Sequence, residues 1–135
     1  MRPEGILTSP ALLDVLDLTQ PVGVLAHAVL HELPDQDAHA ALHGFARGLA
    51  PGSALSLTRL TTDFSSTAMS RVAGLCRTAG LTAFLRTRSQ VTSLFDGWEL
   101  MDPGLTATAH GCTGGRTAAH PAGASATYAA IALNT

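Results

Sequence analysis

Apolar and polar positions change their spacing several times along this chain, and each change marks an element. Residues 22–26 (VGVLA) form an unbroken small or apolar run, the pattern of a strand buried on both faces. Leu33-Pro34-Asp35 then turns the chain. Over residues 36–49 Ala41, Leu42, Phe45 and Leu49 recur on one side of a helix. Ala50-Pro51-Gly52 stops that helix, and residues 53–60 read as the next strand. Ahead of these, residues 3–7 form one helical turn. Ser9-Pro10 then offers an N-cap and a proline at the first helical position, and Leu12, Leu13, Val15 and Leu16 extend an apolar face to about Leu18.

The second half is more broken. Residues 61–66 are a polar loop, after which Ser66 or Thr67 caps a helix reaching Thr78, closed by Gly80 at C′. A short stretch, 81–87, leads to Ser89 as the cap of a helix running through Phe95. Residues 97–101 are a strand, broken at Asp102-Pro103-Gly104 and resumed over 105–109. The glycine-, alanine- and proline-rich stretch 111–125 reads as a flexible loop, and 127–133 as a closing strand. There is no internal repeat, and residues 1–135 read as a single domain. The order helix, β, α, β, α, α, β, loop, β is that of an α/β protein.

Composition narrows the classes. A chain that is 46% hydrophobic and 13% charged is a folded one. The net charge is −2 without a basic stripe, which excludes nucleic acid as an electrostatic partner. All eight basic residues are arginine, the bias of a GC-rich genome. Cys76 and Cys112 lack a pairing pattern and read as reduced thiols. No apolar run approaches the roughly 18 residues of a membrane span and no signal peptide is evident, so a cytoplasmic protein without a membrane partner is expected.

Candidate chemistry gathers after the first strand. In open α/β sheets ligands bind at the carboxyl ends of strands, where His27 and His31 fall. The His31 imidazole suits a general base or a group orienting a nucleophile; equally, its ring hydrogen-bonds a loop carbonyl and fixes the turn. Glu32 reads as solvated and Asp35 as a helix cap. His27 with His31, and His39 with His43, stand at i, i+4, but the first pair straddles a strand end. The second lies on a helical face without a further ligand, so no metal is expected. Phe95 and Trp98 read as core, and Tyr128 as a buried ring with its hydroxyl at the surface. Arg86 and Arg88 either clamp an anionic substrate or form exposed salt bridges. Gly111, Gly114 and Gly115 cluster ahead of a loop containing Pro121, so they make no cofactor turn.

RPEGIL, VLHELPD, LAPGSALSL, RTRSQVTSLFDGWELMDPGL and the closing tyrosine-bearing strand, in this order and spacing, resemble an actinobacterial family of S-adenosyl methyltransferases. FDGWELMDPGL is the most diagnostic block. The resemblance implies the second half of a Rossmann-like class I methyltransferase sheet, with flanking helices and a terminal antiparallel hairpin. It further implies S-adenosylmethionine as cofactor, its methionyl part beside Ala26, His27 and Ala28, with His31 as the catalytic residue and a small molecule as acceptor.

This sequence departs from the family pattern in several ways. Many members of the wider class I superfamily have asparagine or serine where His27 stands and an acidic residue where Val22 stands. The glycine-rich turn and the ribose-binding carboxylate belong to the family's first half, and an aspartate precedes the arginine that matches Arg2. A truncated chain with weak or absent cofactor binding on its own is therefore expected. The alternative is a non-catalytic remnant whose unpaired strand edge forms a homodimer or recruits a second methyltransferase subunit.

Overall fold

The segment Ala-Leu-Ser-Leu-Thr-Arg-Leu, whose burial alternates residue by residue, becomes the axis of a mixed sheet. A computed structural model describes residues 2–108 and 125–135. Its strands are β1 (Gly23–Ala26), β2 (Ala54–Leu60), β3 (Glu99–Leu100), β4 (Thr106–Ala107) and β5 (Thr127–Leu133). The order is β1-β2-β5-β3, with β4 also paired to β5; β1 and β2 are parallel, and every pairing of β5 is antiparallel. Helices are α1 (Pro3–Leu7), α2 (Pro10–Leu13), α3 (Asp35–Gly48), α4 (Ser66–Thr78) and α5 (Arg88–Ser93), with a 3₁₀ turn at Leu30–Glu32.

The period-two pattern sorts side chains onto two unlike faces. Leu55 and Leu57 of β2, with Ala26 and the β5 residues Tyr128, Ala130 and Ala132, face α3 and α5. There they meet Leu42, Phe45, Val91, Leu94, Phe95 and Trp98 to form the core. The Trp98 indole donates to the Leu42 carbonyl at 3.3 Å, so Phe95 and Trp98 are core as the sequence indicates. Among the described residues the opposite face is bare: Leu25 is 74% exposed and Ile131 49%, beside half-buried Ser56, Thr58 and Ala129. The strand expected to be buried on both faces is thus covered by the described residues on one only.

Two local devices hold the frame. Gly44 lets α1 lie directly on α3, because a Cβ there would sit 2.8 Å from the Pro3 ring. The Asn134 amide donates to the carbonyls of Ala46 (2.9 Å) and Leu49 (3.0 Å), satisfying the exposed end of α3 from the chain's last residues.

Several boundaries differ from the sequence reading. α2 ends at Leu13, and Asp17 makes a turn by accepting from the Thr19 N–H and hydroxyl, so Val15 is left 80% exposed. α4 has Ser65 as its N-cap without a side-chain bond, instead of Ser66 or Thr67 as cap. α5 is capped by Thr87 rather than Ser89, in a reciprocal box with Gln90, and ends at Ser93. Gly80 does close α4, at φ +74°, with the Leu81 N–H reaching the Cys76 carbonyl. The loop expected at 111–125 lies outside the described residues but for Ser125, which is buried and bonded to Thr127. Among the described residues no helix is long and apolar enough to cross a membrane.

Candidate active site

Parallel strands β1 and β2 end side by side, and the polar groups of the molecule converge there. His27, leaving β1, keeps the phase of Leu25 and therefore falls on the bare face, where its Nε2 lies 2.8 Å from the Ser56 hydroxyl. Ala28 follows in the left-handed region at φ +54°, and its N–H donates to the Thr58 hydroxyl at 3.0 Å. A β-carbon in that conformation is strained, so the hydrogen bond pins an otherwise costly turn. Beside it a cavity of about 280 Å³ runs over the bare face between His27, Ser56, Thr58 and Ile131 and the Met101–Gly104 turn. Ala26 points the other way, into the core. His27 and Ala28 are thus together on an exposed shelf, and Ala26 is not part of it.

His31 lies beyond, in the 3₁₀ turn. Its carbonyl accepts from the Phe84 N–H at 2.7 Å, but its ring is not tethered: Nδ1 is buried without a hydrogen-bond partner among the described residues. Burial, and secondarily the charge of Arg59, hold the imidazole below its ordinary pKa, while Glu32 pulls weakly the other way. The ring is therefore neutral near pH 7.

Arg59 is the residue that sequence reasoning missed. It stands third in the buried phase Leu55, Leu57, Arg59, opposite Tyr128 across the ladder, and is fully buried. That phase was the available signal: an arginine where alternation demands a hydrophobe. Among the described residues none of Nε, Nη1 and Nη2 finds a hydrogen-bond partner. Its counter-charge is Asp35, at 3.7 Å. Burial first, then the like charge of Arg86, lowers its pKa to about 10 despite Asp35.

Asp35 does not cap α3, as the sequence suggested; Pro34 is the N-cap, and the carboxylate accepts from Arg86 Nε instead. Arg88 donates its backbone N–H to Asp63, which also accepts from the Tyr128 hydroxyl at 3.0 Å. The buried Tyr128 ring packs on Phe64 and under the Arg88 guanidinium. His39 is half-buried near the Ser93 hydroxyl (3.4 Å) and His43 is exposed, both remote from this end.

The residues present fit one flank of a nucleoside-bearing cofactor. The small, exposed Ala28 and the His27–Ser56 pair leave room beside β1. Neither turn that follows a parallel strand, 27–29 or 61–65, contains a glycine that would let backbone approach a ligand closely.

Comparison with known proteins follows this geometry. A family model described as S-adenosyl methyltransferase matches residues 1–135. A DUF574 family protein from Streptomyces avermitilis superposes with a TM-score of 0.91 at 30% identity, over 98% of this chain and 52% of that one. A protein from Thermobifida fusca gives 0.79 at 25% identity, over 97% and 50%. Magnesium protoporphyrin IX methyltransferase from Synechocystis, solved with SAH, gives 0.53 at 18%, over 89% and 49%, which shows the fold alone. The chain spans about half the length of these proteins. A search of curated proteins finds no match. The sheet is that of class I methyltransferases over part of their length, and the chain belongs to the S-adenosyl methyltransferase family.

Proposed function

We propose that this chain supplies the carboxyl-side half of an S-adenosylmethionine-dependent methyltransferase and takes up cofactor once a complementary half pairs with β1. The observation that carries this reading is the bare flank. β1 is an edge strand with an apolar sequence and no charge or proline to blunt it, continuous with an uncovered face bearing Leu25 and Ile131. The shelf at His27 and Ala28 opens onto that flank, so a covering half would close the cavity beside it.

When bound, the cofactor supplies an electrophilic methyl group on a sulfonium sulfur. The chain's own part is to place an acceptor at the carboxyl ends of β1 and β2 and to remove its proton. His31, neutral and standing at this end of the sheet, is the group assigned to accept that proton from a hydroxyl or amine. His27 lines the cofactor flank, where its bond to Ser56 fixes the ring.

Calorimetric titration with S-adenosylmethionine tests this, with oligomeric state recorded on the same sample. Two proteins are compared: the chain alone, and the chain fused behind the part of the Streptomyces avermitilis relative that it does not match. Micromolar binding by the fusion and none by the monomeric chain is expected. No binding by a folded fusion overturns the proposal. A stable homodimer of the chain without cofactor affinity favours a non-catalytic dimerisation module instead.

A further inference from the structure

Arg59 is ion-paired to Asp35 at 3.7 Å, but that pairing leaves its hydrogen-bonding capacity unspent. A guanidinium carries five N–H donors in a planar fork, and among the described residues none finds an acceptor although the side chain is wholly buried. Its attraction is to Asp35 Oδ1 at 3.7 Å, an oxygen already engaged by Arg86. Two guanidinium groups therefore converge on one carboxylate. The neighbouring His31 ring is the second buried group with an unpaired nitrogen. Glu32, the other carboxylate bearing on His31, is exposed to solvent.

The surroundings of this cluster are set by one irregular segment. Residues 81–87 cross the strand ends without regular structure, tied by the Phe84 N–H to the His31 carbonyl and by the Arg86 N–H to the Leu60 carbonyl. The cluster meets solvent at Asp35, whose side chain is 44% exposed, and at Arg86, 16% exposed. The Phe84 ring lies 5.3 Å from the Arg86 guanidinium and walls one side.

We propose that Arg59 and Arg86 form an oxyanion-binding site for a carboxylate carried by the methyl acceptor, entering beside Asp35 and beneath the 81–87 strap. A carboxylate matches the guanidinium fork bidentately and supplies the acceptors that Arg59 lacks. Asp35 shows where such a group sits, because its own carboxylate already bridges both arginines from the solvent side. The anchored acceptor then presents its nucleophile next to His31. The inference rests on the proposed methyltransferase reading for the word acceptor, but the anion site itself does not need the cofactor.

The test uses the chain alone, without S-adenosylmethionine. Thermal midpoints are recorded against sodium benzoate, inorganic phosphate and sodium chloride at matched ionic strength, for the wild type, Arg59→Met, Arg86→Met and the surface control Arg71→Met. A saturable rise with benzoate above chloride is expected in the wild type and in Arg71→Met, with at least tenfold weaker apparent affinity in Arg59→Met and Arg86→Met. Equal responses in all four proteins, or none beyond chloride in the wild type, overturn the site. A rise with phosphate alone overturns the carboxylate assignment. Should Arg59→Met fail to fold by circular dichroism, Arg86→Met, altered at a partly exposed position, decides. A fusion that binds cofactor while the chain ignores benzoate refutes this inference and leaves the methyltransferase reading standing.

Discussion

Replacing Arg59 with methionine should stabilise the chain. The side chain is fully buried, its stem runs along Leu57 and Tyr128 in the core phase, and methionine fills a similar linear volume without a charge. The charged form is disfavoured in the fold: a pKa near 10 against the ordinary 12.5 corresponds to about 3 kcal/mol, at about 1.4 kcal/mol per pKa unit. The attraction of Asp35 at 3.7 Å is worth roughly 4 kcal/mol at an effective dielectric near 20 and is already contained in that balance. Unmade hydrogen bonds of a buried group add about 1–3 kcal/mol of further penalty. Some of the burial of the stem is lost in exchange, but Asp35 is 44% exposed and keeps Arg86, so no buried charge is left unpaired and a net gain of roughly 1–3 kcal/mol is expected. Urea denaturation in chloride buffer at neutral pH measures it, with an unchanged m-value as the check on a two-state comparison. A loss of stability would refute the reasoning, because it would mean that the guanidinium is satisfied in the folded chain.

Other perturbations follow from the same coordinates. Asp35→Asn leaves both guanidinium groups without their carboxylate and should destabilise by about 1–3 kcal/mol, the lower part of the range for a broken buried pair because Asp35 is partly exposed; the urea midpoint falls accordingly. Asn134→Ala frees the Ala46 and Leu49 carbonyls at the end of α3 and should cost about 2 kcal/mol by the same measurement. Gly74→Ala, in an open position within α4, should gain up to about 1 kcal/mol, whereas Gly44→Ala should lose stability and loosen α1, seen as faster amide exchange at its N–H groups. His31 has its pKa lowered by folding, so the unfolded chain binds the proton more readily. Its contribution to stability is complete above pH 6.5 and declines as pH falls through the folded value; His31→Gln should flatten that part of a pH series of urea midpoints.

The legible parts of this molecule are those where one local rule acts alone. The β2 alternation, the αL glycine at Gly80 and the apolar stripe Ala41, Leu42, Phe45 all became the elements they describe. Boundaries failed where two rules competed. Leu12 to Leu16 has a helical stripe, but the Asp17–Thr19 turn ends regular structure early; Thr87 outcompetes Ser89 because Gln90 completes its box. The candidate site divides the same way. His27, Ala28 and His31 were singled out because they follow a strand end, a local cue. Asp35 and Arg86 stand 51 residues apart, so their pairing is set by how α3 and the 81–87 strap meet over β2, which no local pattern encodes. Ala26 was expected beside the cofactor with His27 and Ala28; its phase opposes that of His27, and its side chain is buried in the core.

The two faces of the sheet then make one argument. Valine, glycine, leucine and alanine in unbroken succession are the text of an interior parallel strand, yet β1 has a neighbour on one side and a layer on one face. Leu25, Ile131 and Met101 stand exposed on that bare side, while an arginine is buried on the covered one. A monomer selected for this arrangement alone would reverse both placements. The apolar exposure is what the proposed complementary half would cover, with a strand against β1 and a helical layer on the bare face. The buried charge is what the proposed substrate anion would meet. The two demands lie on opposite sides of the sheet and meet only at the carboxyl ends of β1 and β2, between His27 and His31, which is where a methyl donor held by one half and an acceptor anchored by the other would have to touch.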